Sequence, residues 1–589
     1  MLFRSLALFE DVSARLGHRH HEEAFDDFAG QPLLSKKLSQ LGPGVAWIDL
    51  DGDGRDELVI GSGRGGALSV RSADRQGGFV KSQVEMNASD DLLGLAAWAE
   101  PGGARSLLVA RANYEAESTA PSVLQIQVGP AGLTVATQSV TLAASPGPLA
   151  VADLKGDGTL AVFVGGRVRP GRYPESVASA LFRSEKGLLA ADAENTRALQ
   201  NAGLVSGAVW SDLDGDGFPE LILACEWGPL RIYKNNHGKL SPWNPRVKLE
   251  TQNSKLETLN DLTGWWNSVT TGDLDGDGRP DLIAGNWGWN SPYQATVENP
   301  ARVFYGDLVG DGGMQLIETE TAPELKGILP RENLTVLAPA MPFLRGRFPT
   351  HASFKSVSVR EMLGERFSAA KELRATTLAS MVFLNRGDHF EAMPLPAEVQ
   401  WAPVFGLNVA DVDGDGADDV FLAQNFFATR KDLPRLDAGR GLWLRNDGRG
   451  HLTPMTVEES GVKIWGEQRG SAVGDYDGDG RIDLVVAQNG AETKLFHNHH
   501  AKPGLRVRLK GPSGNPDGLG ASLRLKYADG VGPAREVHGG SGYLSQDSAV
   551  AVLGLRAIPT HVVARWPGGR ATETAVPAGA KEITIEFGK

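Results

Sequence analysis

One nine-residue phrase recurs along the chain and restricts what it can fold into. It reads Asp475-Tyr-Asp-Gly-Asp-Gly-Arg-Ile-Asp483 and returns intact at 49–57, 212–220, 273–281 and 411–419. Carboxylates at positions 1, 3, 5 and 9 can converge on one hard cation, and glycines at 4 and 6 let the backbone curl around it. The expected side-chain ligands are Asp49, Asp51, Asp53 and Glu57; Asp212, Asp214, Asp216 and Glu220; Asp273, Asp275, Asp277 and Asp281; Asp411, Asp413, Asp415 and Asp419; and Asp475, Asp477, Asp479 and Asp483. Position 7 (Arg55, Phe218, Arg279, Ala417 and Arg481) would add a backbone carbonyl. Five such copies predict about five Ca²⁺ sites.

The phrase is not an EF-hand loop, which needs a bidentate Glu at position 12 between two helices. Here position 12 is Ile60, Leu223, Ala284, Leu422 and Val486, and the flanks are short β-type runs such as Val45-Ala-Trp-Ile and Leu58-Val-Ile. Each copy therefore predicts a hairpin whose turn is closed by metal.

The charge follows from the same phrase. The chain has 72 acidic and 59 basic side chains, a net −13; five Ca²⁺ would bring that to about −3. The acidity is ligand charge, and with no basic stripe no nucleic-acid partner is expected. At 589 residues, with 41% hydrophobic residues and 73 glycines, the composition suits a large, turn-rich globular chain. No apolar run of about 18 residues predicts a transmembrane segment. The opening Met-Leu-Phe-Arg-Ser-Leu-Ala-Leu-Phe-Glu is a weak match to a signal peptide. Cys225 is the only cysteine, so no intrachain disulfide can form, and a buried core thiol is the expectation.

Decayed copies extend the repeat. The stretch 98–106 keeps only Glu100, and 153–161 keeps Asp153 and Asp157 with Lys155 at a ligand position, where its ammonium could replace an ion. Copies start at 49, 98, 153, 212 and 273, a period of roughly 50–60 residues, which is about four strands and their turns. The expected fold is all-β, a propeller of seven or eight blades with seven favoured. The uncertainty lies in 307–313, another decayed copy, which is either its own blade or the outer hairpin of the one before it. Residues 324–374 break the period with four prolines and a capping-box pattern at Ser358 and Glu361, predicting a helical insertion. Residues 1–502 would form the propeller. From 503 to 589 strands with a two-residue alternation predict a separate small β-module, in which Gly539-Gly-Ser-Gly542 reads as a structural bend or a binding loop.

These features together resemble a known family. The apolar-flanked phrase is similar to the FG-GAP/VCBS repeats of integrin-type β-propellers. The C-terminal Leu519-Gly-Ala-Ser-Leu-Arg-Leu, Arg535-Glu-Val-His-Gly-Gly-Ser-Gly-Tyr-Leu-Ser-Gln546 and Arg565-Trp-Pro-Gly-Gly569 resemble the ASPIC/UnbV domain. The pairing looks like bacterial relatives of cartilage acidic protein, and the opening segment from Phe9 to Ser35 fits that group. The resemblance implies an extracellular, periplasmic or cell-surface protein.

If the acidic turns occupy one end of the sheets, the loops at the other end are candidates for binding. They are rich in Trp and amides: Glu226, Trp227, Asn286, Trp287, Trp289, Gln424, Asn425, Gln488 and Asn489 after second strands, and Trp265, Gln400, Trp401, Trp465, Glu467 and Arg469 before first strands. Flat apolar rings beside paired donors and acceptors suit a sugar or a protein ligand, with Glu226, Glu467 and Arg469 as polar anchors. The expectation is a monomeric calcium-binding surface or adhesion protein. The alternative is an enzyme (lyase, hydrolase or cyclase) using that face, although no catalytic motif is present and catalytic residues are not identified. Two histidine groups, His18/His20/His21 and His497/His499/His500, lack the spacing that completes a transition-metal site.

Overall fold

Acidic turns reverse the chain between short apolar runs, and the structure is mostly β. The computed structural model describes residues 7–588 apart from 74–77, 82–85, 101–104, 116–121, 130–131, 136–139, 186–187, 250–256 and 323–326. Seven meandering sheets of four or five strands follow one another along the chain. Their first strands are Val45–Ile48, Leu92–Ala99, Ser145–Asp153, Leu204–Ser211, Ser268–Gly272, Val404–Ala410 and Gln468–Gly474. Each pairs antiparallel with a second strand: Glu57–Ile60, Arg105–Arg111, Leu160–Val168, Glu220–Pro229, Asp281–Gly285, Asp419–Gln424 and Asp483–Gln488.

Almost every residue of these inner strands is buried. Strands covered on both faces read as continuous apolar runs rather than as alternation, which explains sequences such as Val-Ala-Trp-Ile. Each first strand lies against the first strand of the next sheet, and that of the seventh lies against that of the first. The seventh sheet borrows its outer strand from the other end of the chain: Phe9–Asp11 pairs antiparallel with Lys494–Asn498, Phe9 opposite Asn498. Phe9 stacks on Trp443 with ring centroids 5.9 Å apart.

The fifth sheet is interrupted. Between its second strand and its third, Met381–Asn385, the chain builds a separate sheet of Ala301–Gly306, Gln315–Ala322, Gly327–Pro330 and Lys371–Ala375. Helices Leu334–Ala340, Phe343–Arg347, His351–Phe354 and Val359–Leu363 span its last connection. Ser358 and Glu361 form the capping box of the last helix. The copy at 307–313 turns the hairpin between Ala301–Gly306 and Gln315–Ala322 in this separate four-stranded sheet, so it is not the outer hairpin of the sheet before it.

The C-terminal strands Leu505–Lys510, Ser522–Tyr527 and Glu582–Glu586 bury alternate residues, as the two-residue period requires. Their apolar face joins one core with the second and third sheets, in which Trp98, Leu108, Leu149 and Val162 meet Leu523, Val562 and Trp566. The module stands at the end where the acidic turns emerge. From it, residues 536–548 run between the seven first strands and bond to every one. Gln546 exchanges backbone bonds with Val45 and Trp47, and its side chain accepts from Ala97 N at 2.8 Å. Gly539 O accepts from Val151 N and Gly542 O from Ala208 N. Glu536 accepts from Thr271 Oγ1 at 3.2 Å. Asp547 Oδ1 accepts from Asn408 Nδ2 at 2.8 Å and Val473 N at 2.9 Å.

Gly539–Gly542 is thus the tightest part of that passage, and not a free loop. A Cβ on Gly542 (φ 88°) would lie 1.9 Å from the Val269 carbonyl oxygen.

Candidate metal centres and the tryptophan face

All five intact phrases join the first and second strands of their sheets, so they share one end of the structure. Positions 4 and 6 take left-handed backbone angles, φ 78° and 87° for Gly52 and Gly54, a region where glycine is unstrained. The turn then wraps its own first carboxylate. Asp411 Oδ1 accepts from Gly414 N and Oδ2 from Gly416 N, both at 2.8 Å, and Asp475 does the same with Gly478 and Gly480. The decayed copies keep this bond, Asp153 to Gly156 and Gly158 and Asp307 to Gly310 and Gly312. Position 1 therefore shapes the turn with or without an ion.

Position 9 closes the other side. Its carboxylate accepts from the position 2 N–H: Glu57 from Leu50, Glu220 from Leu213, Asp281 from Leu274, Asp419 from Val412 and Asp483 from Tyr476. In four sheets its second oxygen takes the backbone N–H of an Asn ending the third strand: Asn235, Asn385, Asn446 or Asn498. Those four residues were not foreseen. Each side chain also donates to the position 2 carbonyl of the preceding sheet's turn: Leu154, Leu213, Leu274 and Val412, at 2.8–2.9 Å. The recurring pattern at third-strand ends, Tyr-Lys-Asn, Phe-Leu-Asn, Leu-Arg-Asn and Phe-His-Asn, was the available signal.

The donor set fits a hard divalent cation. Ligand oxygens of Asp49, Asp51 and Asp53, of Asp212, Asp214 and Glu220, and of Asp273, Asp275 and Asp281 each lie within 4.8 Å of one another. Asp212 Oδ1, Asp273 Oδ1 and Asp413 Oδ1 are buried with no hydrogen-bond donor among the described residues, which is costly for a charged oxygen and would be relieved by an ion. Burial, then the neighbouring carboxylates, raises Glu57 to about 7, Asp281 to about 8 and Glu220 to about 9. Burial likewise holds Asp212 and Asp273 at about 6. Position 3 pairs with a local cation in three turns, Lys234 on Asp214, Arg386 on Asp275 and Arg445 on Asp413, and with the His497 ring at Asp477 in a fourth. At position 7, the Arg55, Arg279 and Arg481 side chains pair with Asp53, Asp277 and Asp479. His497 is thereby brought to an acidic turn, with His499 at 3.0 Å.

Lys155 does not replace an ion. Among the described residues it has no ion pair with Asp153 or Asp157, and its methylene chain packs against Gly238. In the 98–106 copy Glu100 accepts from Gln125 Nε2 at 2.9 Å, and 101–104 lie outside the described residues.

The turns also carry the C-terminal module. Arg565 reaches Asp212 at 3.2 Å, Arg506 pairs with Asp475, and Ala534 N donates to Asp273 at 2.8 Å. The position 6 carbonyls of Gly54, Gly217 and Gly480 accept from Arg508, Gly568 N and Gly504 N.

At the opposite end the candidate ligand residues separate into three groups. Trp227, Trp265 and Trp287 form an edge-to-face row with centroids 4.6 and 5.0 Å apart, and all three are buried. They share a core with Leu34 and Leu38 of the N-terminal segment and with Leu337, Met341 and Met362 of the inserted helices. Lys36 fills the space before them, its ammonium 4.8 Å from the Trp265 ring, 4.5 Å from Trp287 and 2.5 Å from Glu226. Arg167 pairs with Glu226, and Tyr173 donates to it at 2.6 Å. Burial alone would raise Glu226; Lys36 and Arg167 outweigh it and hold the carboxyl down at about 2.

The second group bonds the sheets to each other. Arg469 donates to Glu467 at 2.6 Å and to Asn425 O, and stands 4.4 Å over Phe405. Asn489 donates to Glu467 at 3.0 Å. Asn425, Asn286, Gln400, Gln424 and Gln488 donate to backbone carbonyls. Glu226, Glu467 and Arg469, expected as polar anchors, are each buried with their charge already paired within the fold. Only Trp289, Trp401 and Trp465 are exposed, by 54, 48 and 58%. Trp289 and Trp401 belong to one ridge: Trp289 N donates to Gln400 O at 2.8 Å and Asn290 Nδ2 to Trp401 O at 3.1 Å. Cys225 is buried, its thiol donating to Ala202 O and pushed by burial up to about 11.

Comparison with known proteins agrees with the repeat. The FG-GAP-like repeat matches residues 212–284 and 411–486, and the family described as ASPIC and UnbV matches 511–589. No curated protein matches. Among solved structures, the V. cholerae biofilm matrix protein Bap1 is 12% identical with a TM-score of 0.33, covering 82% of this chain and 90% of its own. BBS1N, solved in complex with ARL6DN, is 12% identical with a TM-score of 0.38, covering 85% and 99%. The chain thus carries FG-GAP-like repeats in its phrase-bearing sheets and an ASPIC/UnbV domain at its C-terminus.

Proposed function

We propose that the protein is a calcium-dependent binding or adhesion protein of the cell exterior, built as a seven-bladed propeller. The propeller reading is supported by the serial contacts of the seven first strands and by the N-terminal strand that completes the seventh sheet. No helix among the described residues is long and apolar enough to cross a membrane. Calcium is the ion we assign to the turns. The observation that carries this is the buried carboxylate oxygen without a donor among the described residues in three different copies, two of them, Asp212 and Asp273, beside further carboxylates at ligand spacing. Hard oxygen donors in a flexible turn favour Ca²⁺ over the smaller, octahedral Mg²⁺.

In this reading the ion stiffens the turns that hold the C-terminal module, and the other end meets the ligand. The ligand surface is the ridge of Trp289 and Trp401 together with Trp465, whose rings face solvent. Exposed indoles stack on sugar faces and supply one N–H donor each, so the ligand class is a glycan. The test is a glycan array with the calcium-loaded parent and the Trp289→Ala/Trp401→Ala double variant. Binding lost in the double variant, with the melting temperature unchanged, is the expected result. Equal binding by both, or none by the parent, would remove the assignment.

A further inference from the structure

Away from the repeated turns, three acidic side chains meet at the other end of the structure. Glu22 lies in the N-terminal segment, Asp91 just before the first strand of the second sheet, and Glu115 after the second strand of that sheet. One carboxylate oxygen from each lies within 4.8 Å of the other two. That limit is twice a Ca–O bond of about 2.4 Å, the spread expected of oxygens around one ion. Glu22 Oε1 and both oxygens of Glu115 are buried and form no hydrogen bond with any described residue, so no donor of the fold satisfies them.

These are not solvated acids. The Glu22 side chain is 8% exposed and that of Glu115 is 6%, and Asp91 is buried. Partial compensation comes from Arg64, whose Nε lies 3.0 Å from Glu115 Oε2 and 3.1 Å from Glu23 Oε2, and whose N–H donates to Asp91 at 2.9 Å. Lys37 is turned away and donates to Phe25 O at 2.8 Å. Arg64 is shared with Glu23 and does not balance the three carboxylates when they ionise, and a divalent cation would displace their protons and offset that charge. Burial, then mutual repulsion, raises Glu22 to about 9 and Asp91 to about 8.

We propose that Glu22, Asp91 and Glu115 form a divalent-cation site, separate from the repeated turns, that latches the N-terminal segment to the second sheet. Oxygen-only donors select a hard ion, with water completing the shell. The segment on either side is already bound to neighbouring sheets. Arg19 bridges Glu492 of the seventh-sheet hairpin, and His20 Nε2 accepts from Gly63 N after the first sheet's second strand. Glu23 N donates to Arg64 O at 3.2 Å. An ion at Glu22 carries this strap one sheet further. It would hold in place residues 33–38, which cover the tryptophan row.

The test uses the full chain and two measurements. Equilibrium dialysis against radiolabelled calcium should give one ion fewer per chain for Glu22→Gln/Glu115→Gln than for the parent. The repeated turns are intact in both, so their ions cancel from the difference. Crystals of the parent soaked in Mn²⁺ should show an anomalous peak among the three carboxylates, and this measurement decides if the double variant does not fold. An unchanged ion count, or manganese at the turns with none at this cluster, would overturn the proposal. It stands or falls apart from the glycan reading, which neither measurement touches.

Discussion

Asp273 accepts the N–H groups of Gly278 and Ala534 through Oδ2, at 2.8 Å each, and leaves Oδ1 buried without a donor. One carboxylate thus shapes the turn, holds the C-terminal module and offers an oxygen to an ion. Asp273→Asn keeps the accepting oxygen and removes the charge. In chelator at pH 8 its melting temperature is expected to equal or exceed the parent's; in calcium it should fall below, and scanning calorimetry in both buffers checks the crossing. The pH dependence follows from position 9. Glu57, Asp281 and Glu220 stand at about 7, 8 and 9 when folded, above their ordinary values near 4. Such raised groups add stability that is complete below pH ~4 and is lost as pH rises through 7 to 9. Chelated protein should therefore melt at a higher temperature at pH 6 than at pH 9. The carboxylates were legible because an ion requires them at fixed spacing. The second role of Asp273 was not, since its partner is 261 residues away.

At the scale of the element, four of the hairpins are each bonded to the one before through an Asn near the end of the third strand. Asn446 Nδ2 donates to Leu274 O at 2.8 Å and to Asp418 O at 3.0 Å, and the residue is 1% exposed. Asn446→Ala strands two buried carbonyls and should lower stability by about 1–3 kcal/mol, measured by urea unfolding in saturating calcium. Hairpins were readable from apolar runs around an acidic turn, and the helix at Val359–Leu363 from its capping box. The inserted sheet was not. Its hairpin repeats Asp307-Leu-Val-Gly-Asp-Gly, and local sequence cannot say whether a copy pairs in series or inside another sheet. The tryptophans misled for a related reason. Loop position suggested exposure, but the inserted helices and the strap at 33–38 cover Trp227, Trp265 and Trp287.

For the molecule as a whole, residues 536–548 connect every first strand to the module standing on the acidic turns. Gly542 is the critical contact, because a side chain there meets the Val269 carbonyl and must hold a left-handed φ. Gly542→Val should cost about 3 kcal/mol or more. It should also expose 536–548 to exchange, so hydrogen–deuterium exchange of that segment checks it: protection equal to the parent's would show that the passage tolerates the side chain.

The amino-acid sequence alone determined the hairpins, their period and the acidic residues of their turns, because turn geometry and strand burial are local demands on residue type and spacing. It also carried the family resemblance at both ends. Only the tertiary structure decided what those hairpins support. It placed the C-terminal module on the turns, a strand from the N-terminus in the seventh sheet, and three acids from distant segments in one buried cluster. Such contacts depend on which loops the fold brings together, a choice made by the packing of all seven sheets and written in no single stretch of the chain.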